Sequence, residues 1–186
     1  MTDHKKRCAW VTDDPIYIHY HDTEWGVPIY DDRLLFEFLI LEGAQAGLNW
    51  LTILKRRENY RVCFDHFDAE KMAHYDDNQY QKLLNNAGII RNRLKIQSAI
   101  TNAQSYLSIK KEYPSFSNYI WQFVDGKPIR NHWKKHTDIP TTTAQSEAMS
   151  KDLKKRGFKF VGSTICYAYM QAVGMVNDHL ADCFRY

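Results

Sequence analysis

The sequence predicts an all-α fold. Its 186 residues, 44% hydrophobic and 14% aromatic, hold enough apolar material for one compact core. Eight glycines and five prolines leave too few breaks for the dense turns of an all-β sandwich. Between those breaks, apolar residues recur at helical spacing. No internal repeat, low-complexity tract or linker divides the chain, so residues 1–186 are read as one domain.

The elements follow in order. Asp31 and Asp32 precede Leu34, Leu35, Phe36, Phe38, Leu39, Ile40 and Leu41, which predicts a buried helix with acidic residues at its positive end. Glu42 interrupts the uncharged run 38–54, leaving pieces well short of the roughly 20 apolar residues of a membrane span. Leu48, Leu51 and Leu54, followed by Lys55, Arg56, Arg57, Glu58 and Arg61, predict a helix that turns amphipathic towards its end. Residues 76–79 have the form of a capping box and open a short helix through Leu83 and Leu84, ending at Gly88. Another helix is expected over 92–107, with Leu94, Ile96, Ile100, Ala103 and Leu107 on its apolar face. Ser117 is expected to cap a segment holding Ile120, Trp121 and Phe123, and Asp125-Gly126 marks a turn flanked by a small hairpin or an irregular loop. Residues 141–143 open a helix that reaches Arg156 and closes at Gly157; the last helix carries Ile165, Tyr169, Ala172 and Val173 and ends near Gly174. Residues 151–174 thus read as a hairpin of two helices around a glycine-bracketed turn.

The N-terminal residues 1–8 place charge where a secretory signal would need an apolar core, so the expected location is cytoplasmic. In that reducing setting Cys8, Cys63, Cys166 and Cys183 are expected as free thiols or metal ligands. A net charge of +3 decides nothing about partners by itself, but its distribution is uneven. Lys151, Lys154, Lys155, Arg156 and Lys159 oppose only Asp152 within nine residues around Gly157 and Gly162. A tight turn that starts a helix offers free amides to an anion, and the cations around it suit a nucleic-acid backbone. An ordinary solvated helix face with a glycine cap has the same composition.

Three further groups of residues invite chemistry. Cys8 and His21 near one end, with His179 and Cys183 near the other, make a donor set for tetrahedral zinc; the last two are four apart and would share a face on a helical turn. Satisfied polar histidines are the alternative. Trp10, Tyr17, Tyr20 and Trp25 interleave with His19, His21, Asp22 and Glu24, a mixture suited to a ring-lined pocket for a base, or to aromatic packing under an N-terminal arm. Glu42 follows four apolar residues and has no nearby cation, so it is either a buried functional carboxylate or a helix-end group reaching solvent.

Together the motifs CAW (8–10), YIHYHDTEWG (17–26), LEGAQAGLNW (41–50), KKRGFKFVG (154–162) and VNDH (176–179) resemble the bacterial DNA-3-methyladenine glycosylase I family of the helix-hairpin-helix superfamily. The resemblance spans Cys8 to Cys183. It implies an all-α glycosylase fold whose hairpin, with Lys155, Arg156, Gly157, Lys159 and Gly162, holds double-stranded alkylated DNA. It also implies one structural zinc on Cys8, His21, His179 and Cys183, joining the terminal segments 8–21 and 179–183. Glu42 matches the family's base-recognising, catalytic glutamate and Trp50 its stacking tryptophan, while Trp10, Tyr17, Tyr20 and Trp25 match pocket rings. Leu48 is expected to fill the gap left in the duplex. Many members of the superfamily carry a catalytic aspartate where this chain has Asn177, with Asp178 adjacent as a substitute carboxylate to be tested. Strand-cleaving members use a lysine near the hairpin, but none follows Lys159, so base excision without strand cleavage is expected; a monomer is the default expectation. A non-enzymatic helix-hairpin-helix DNA-binding module is the rival expectation; four protein ligands would leave a zinc no open position, which argues against a zinc hydrolase.

Overall fold

The computed structural model describes residues 5–186, so the first four residues of the charged N-terminal stretch lie outside the described residues. Ten α-helices occur among the described residues: α1 (Pro15–Thr23), α2 (Asp32–Gln45), α3 (Trp50–Leu54), α4 (Arg57–Cys63), α5 (Ala69–Met72), α6 (Asp77–Asn85), α7 (Arg93–Glu112), α8 (Phe116–Trp121), α9 (Ala144–Lys155) and α10 (Ser163–Ala172). Two two-residue strands, β1 (Ile129–Arg130) and β2 (Val176–Asn177), pair in parallel. No described helix is long and apolar enough to cross a membrane.

Helix α2 is the axis of the core. Every residue from Leu35 to Ala44 is buried, and α3, α7, α8 and α10 pack around it. Asp31 caps its start by accepting from the amide of Leu34. At its other end Lys95 of α7 donates to the carbonyls of Ala44 (2.8 Å) and Ala46 (2.7 Å), satisfying oxygens that the helix leaves open. Helices α9 and α10 lie against each other across the glycine-bracketed turn. That turn meets α2 closely: a Cβ at Gly43 would stand 3.2 Å from Cβ of Phe160.

Several local expectations change. Helix α1 has no counterpart among the expected elements, although Asp14 caps it and Pro15 opens it. The segment from Leu48 to Arg61 is two helices rather than one, broken at Arg56, because Arg57 turns inward to ion pairs with Glu37 and Glu24. Ser115, not Ser117, caps α8; the amides of Phe116 and Ser117 are taken by the carboxylate of Asp32, tying α8 to the start of α2. Helix α7 continues to Glu112, five residues beyond Leu107. After Asp125-Gly126 there is no hairpin, since β1 pairs with the distant β2. Residues 179 and 183 lie outside any helix, so their approach rests on irregular chain.

Candidate active site

Helix α2 buries two glutamates five residues apart, and their surroundings differ. Glu37 accepts from Arg57 Nε (2.6 Å) and Arg61 Nη2 (2.8 Å), a buried pairing that neutralises it. Glu42, 4% exposed, has no hydrogen bond or ion pair among the described residues. Burial alone pushes its carboxyl up to about 8, so at neutral pH Glu42 is mainly the neutral acid.

Glu42 faces a cavity of about 210 Å³. Trp10, Tyr17, Tyr20, Trp25 and Trp50 all line it. Trp10 stands 4.9 Å from Tyr17 and 5.1 Å from Trp25, centroid to centroid, and Tyr20 stands 5.6 Å from Trp50. Trp50 lies at 23° to Phe38, which supports its outer face. Burial, reinforced by the Glu42 charge, raises the hydroxyls of Tyr17 and Tyr20, so both remain neutral. The five rings and one carboxyl named from the sequence therefore share one chamber.

Behind that aromatic wall lies the thiol and imidazole cluster. Donor atoms of Cys8, His21 and Cys183 lie within 4.8 Å of one another, all buried. His179 packs its ring 5.0 Å from that of His21, and its Nε2 is buried without a partner. Outer partners fix both imidazoles: His21 Nδ1 contacts Asp22 (2.8 Å), itself held by Arg7, and His179 Nδ1 contacts Asn177 Oδ1 (2.9 Å). Burial lowers both histidines, His179 to about 4, and raises Cys8 to about 12. Neutral imidazoles with their second nitrogens anchored, an orphaned Nε2 and soft sulfur donors fit a tetrahedral zinc, whose charge would reverse the rise at Cys8. Trp25 stacks edge-on against His179 (4.6 Å) and Trp10 against His21 (5.3 Å), so the cluster also braces the cavity wall.

The hairpin and the α2–α3 loop flank the chamber. Gly157 has φ +95°, which favours glycine, and a Cβ there would meet Ser105 Oγ at 3.1 Å. Gly162 has nothing within 4 Å of a Cβ, leaving its backbone open to approach. Lys155 and Lys159 are exposed, with no ion pair among the described residues. Arg156 is half-buried instead, bonded to Asp152 and Glu112 (2.8 Å each) and lying over Tyr113 and Tyr119. Asn102 of α7 clamps the turn, donating to the carbonyl of Lys159 (3.0 Å) and accepting from its amide (2.8 Å). Leu48 is 39% exposed on a loop drawn tight by paired bonds to Gln45.

A family model described as methyladenine glycosylase matches residues 10–186. The chain belongs to the methyladenine glycosylase family. It is 52% identical to DNA-3-methyladenine glycosylase 1 of Escherichia coli K12 over 181 residues, 97% of each chain. It is 49% identical to DNA-3-methyladenine glycosylase of Haemophilus influenzae, covering 95% of this chain and 96% of the relative. A crystal structure of 3-methyladenine DNA glycosylase I superposes with a TM-score of 0.94 at 54% identity, covering 96% of this chain and 98% of that one. The Staphylococcus aureus 3-methyladenine DNA glycosylase I, solved for the structural basis of 3-methyladenine recognition, superposes at 0.93 with 40% identity and 96% and 95% coverage. The methyladenine glycosylase fold expected from the sequence is the one observed.

This family member also lines its cavity with residues that sequence reasoning missed: Gln45, His136, Ile139, Ala168 and Gln171. Gln45 lies three residues after Glu42 on α2, so helical phase is a usable signal for it; Ala168 and Gln171 sit on a different helix, α10, where phase relative to Glu42 says nothing. His136 and Ile139 come from a single 3₁₀ turn, His136–Asp138, and its cap, and carry no such signal.

Proposed function

We propose that this protein hydrolyses the bond joining 3-methyladenine to deoxyribose in alkylated double-stranded DNA, as a monomer in the cytoplasm, and leaves the strand uncut. The observation that carries this reading is the unpaired Glu42, buried against a chamber walled by five aromatic rings. A DNA-binding module without chemistry would have no use for such a chamber.

Alkylation at N3 makes adenine cationic and its bond to the sugar labile, so binding can carry most of the catalysis. Extruding the base costs a few kcal/mol, less for a damaged one. That cost is offset by the hairpin 151–174, where Gly157, Gly162, Lys155 and Lys159 would hold the backbone, by Leu48 filling the gap, and by stacking on Trp50. Trp10, Tyr17, Tyr20 and Trp25 would complete the aromatic walls. Arg156 would serve the hairpin through its pairing with Asp152 and Glu112 rather than by direct phosphate contact.

Charge would supply selectivity. Glu42 is held near 8 by burial, and an entering cation would stabilise the carboxylate, which then accepts from the base's amine edge. Neutral adenine leaves the acid protonated and gains neither term. Departure of a neutral base leaves the sugar cation to water. One structural zinc on Cys8, His21, His179 and Cys183 would join the terminal segments and stiffen the wall formed by Trp10 and Trp25; four protein ligands leave it no open position for chemistry.

Incubating the purified protein with methylated duplex and identifying released bases by mass spectrometry tests the reading. Release of 3-methyladenine with the strand intact is expected; no release, or a nicked product, overturns it.

A further inference from the structure

Asp178 is 1% exposed and its two oxygens accept four hydrogen bonds. Asn131 Nδ2 (2.7 Å) and Trp133 Nε1 (2.8 Å) donate to Oδ1, and the Tyr167 hydroxyl (2.6 Å) and Gln171 Nε2 (2.9 Å) donate to Oδ2. So engaged, Asp178 is no spare base for activating water. Its effect reaches the chamber through Gln171. With both Asp178 oxygens accepting, the Gln171 amide has one compatible orientation, nitrogen towards Asp178 and oxygen away from it. Gln171 lines the same cavity as Glu42, and its Oε1 makes no hydrogen bond to the described residues.

We propose that Gln171 Oε1 is a second fixed acceptor in the base chamber, a specificity determinant beside Glu42, and that Asp178 is the positioning residue that sets its direction. The proposal rests on reading the chamber as the site of the extruded base. Acceptors from α2 and α10 then converge on the ligand. An amine-bearing purine edge satisfies Gln171 Oε1, whereas a carbonyl in place of the amine sets acceptor against acceptor there and leaves Oε1 unpaired. The device thus adds to charge recognition a test of which group the purine edge carries.

Calorimetric titration of the full chain with free 3-methyladenine and with 3-methylhypoxanthine, which carries the carbonyl, measures this as an affinity ratio. Gln171→Met keeps the bulk and removes the acceptor; Asp178→Asn lets the amide rotate. The ratio in favour of 3-methyladenine is expected to fall roughly tenfold in each. An unchanged ratio in Gln171→Met overturns the acceptor role, and an unchanged ratio in folded Asp178→Asn overturns the positioning role. Should Asp178→Asn fail to fold, nuclear magnetic resonance of the unsubstituted protein decides the latter: slow exchange of the Gln171 side-chain amide protons supports it and fast exchange overturns it. A parent chain that shows the ratio but releases no 3-methyladenine from methylated duplex overturns excision and leaves this inference standing; one that binds neither base overturns both.

Discussion

On the proposed function, Glu42 sets base recognition against stability at a single residue. Its ordinary value of 4.5 is raised to about 8 in the folded protein. Below pH 4.5 both states are protonated; between the two values the unfolded chain ionises while the folded one does not, so stability falls as pH rises and levels off above about 8. The shift corresponds to a few kcal/mol at most, at about 1.4 kcal/mol per pH unit. Glu42→Gln removes the titration. Thermal melts should therefore show the variant gaining on the parent from about pH 5 to about pH 9, while excision of 3-methyladenine drops on the order of a hundredfold. A variant that is both fully active and no more stable at the alkaline end would contradict the role assigned to this carboxyl.

At the scale of elements, the hairpin holds its cations in two different environments. Lys155 and Lys159 are exposed and unpaired among the described residues, so replacing either by alanine should weaken duplex binding and shallow its logarithmic salt dependence by about 0.9 for each phosphate left without its lysine. Arg156→Ala should instead lower the melting temperature, because its bonds to Asp152 and Glu112 and its place over two tyrosine rings join α7, α8 and α9. Its salt slope should stay near the parent's. Asn102→Ala leaves the Lys159 amide and carbonyl unpaired, for a loss of about 1–3 kcal/mol in stability and a weaker grip on duplex, read from denaturant unfolding and a binding titration.

For the whole molecule, the ends of the chain meet behind the working cavity. Cys8 and His21 approach Cys183 and His179, and those imidazoles brace Trp25 and Trp10. Elemental analysis should find about one zinc per chain, and chelation should lower the melting temperature and blunt 3-methyladenine binding together, since wall and cluster are one packed unit. Metal-free protein with an unchanged melting temperature would remove zinc from this account. A second closure lies nearby: Gly174, at φ +70°, sits so near the backbone of Val27 and Pro28 that a Cβ would fall 2.2 Å from Val27 C. Gly174→Ala should fail to accumulate as folded protein, as a soluble-yield and circular-dichroism comparison would show.

Which residues make helices is legible in the sequence, because the signals are local: Asp31 before α2, Asp76 before α6, Asn92 before α7 and Thr143 before α9 each accept from an amide two or three residues into their own helix. The same holds for the left-handed glycines at 157 and 174 and for the ring and carboxyl types of the chamber. Helix α1, with its Asp14 cap and Pro15 start, carries equally local signals, yet its apolar residues show no helical stripe to announce it. Tertiary structure alone decided that Arg57 and Arg61 neutralise Glu37 and leave Glu42 bare, that Arg156 pairs with Asp152 and Glu112, and that Gln171 joins the chamber with its amide nitrogen bonded to Asp178. Burial and charge pairing between helices far apart in the chain depend on how those helices pack, and no short window of residues contains that information.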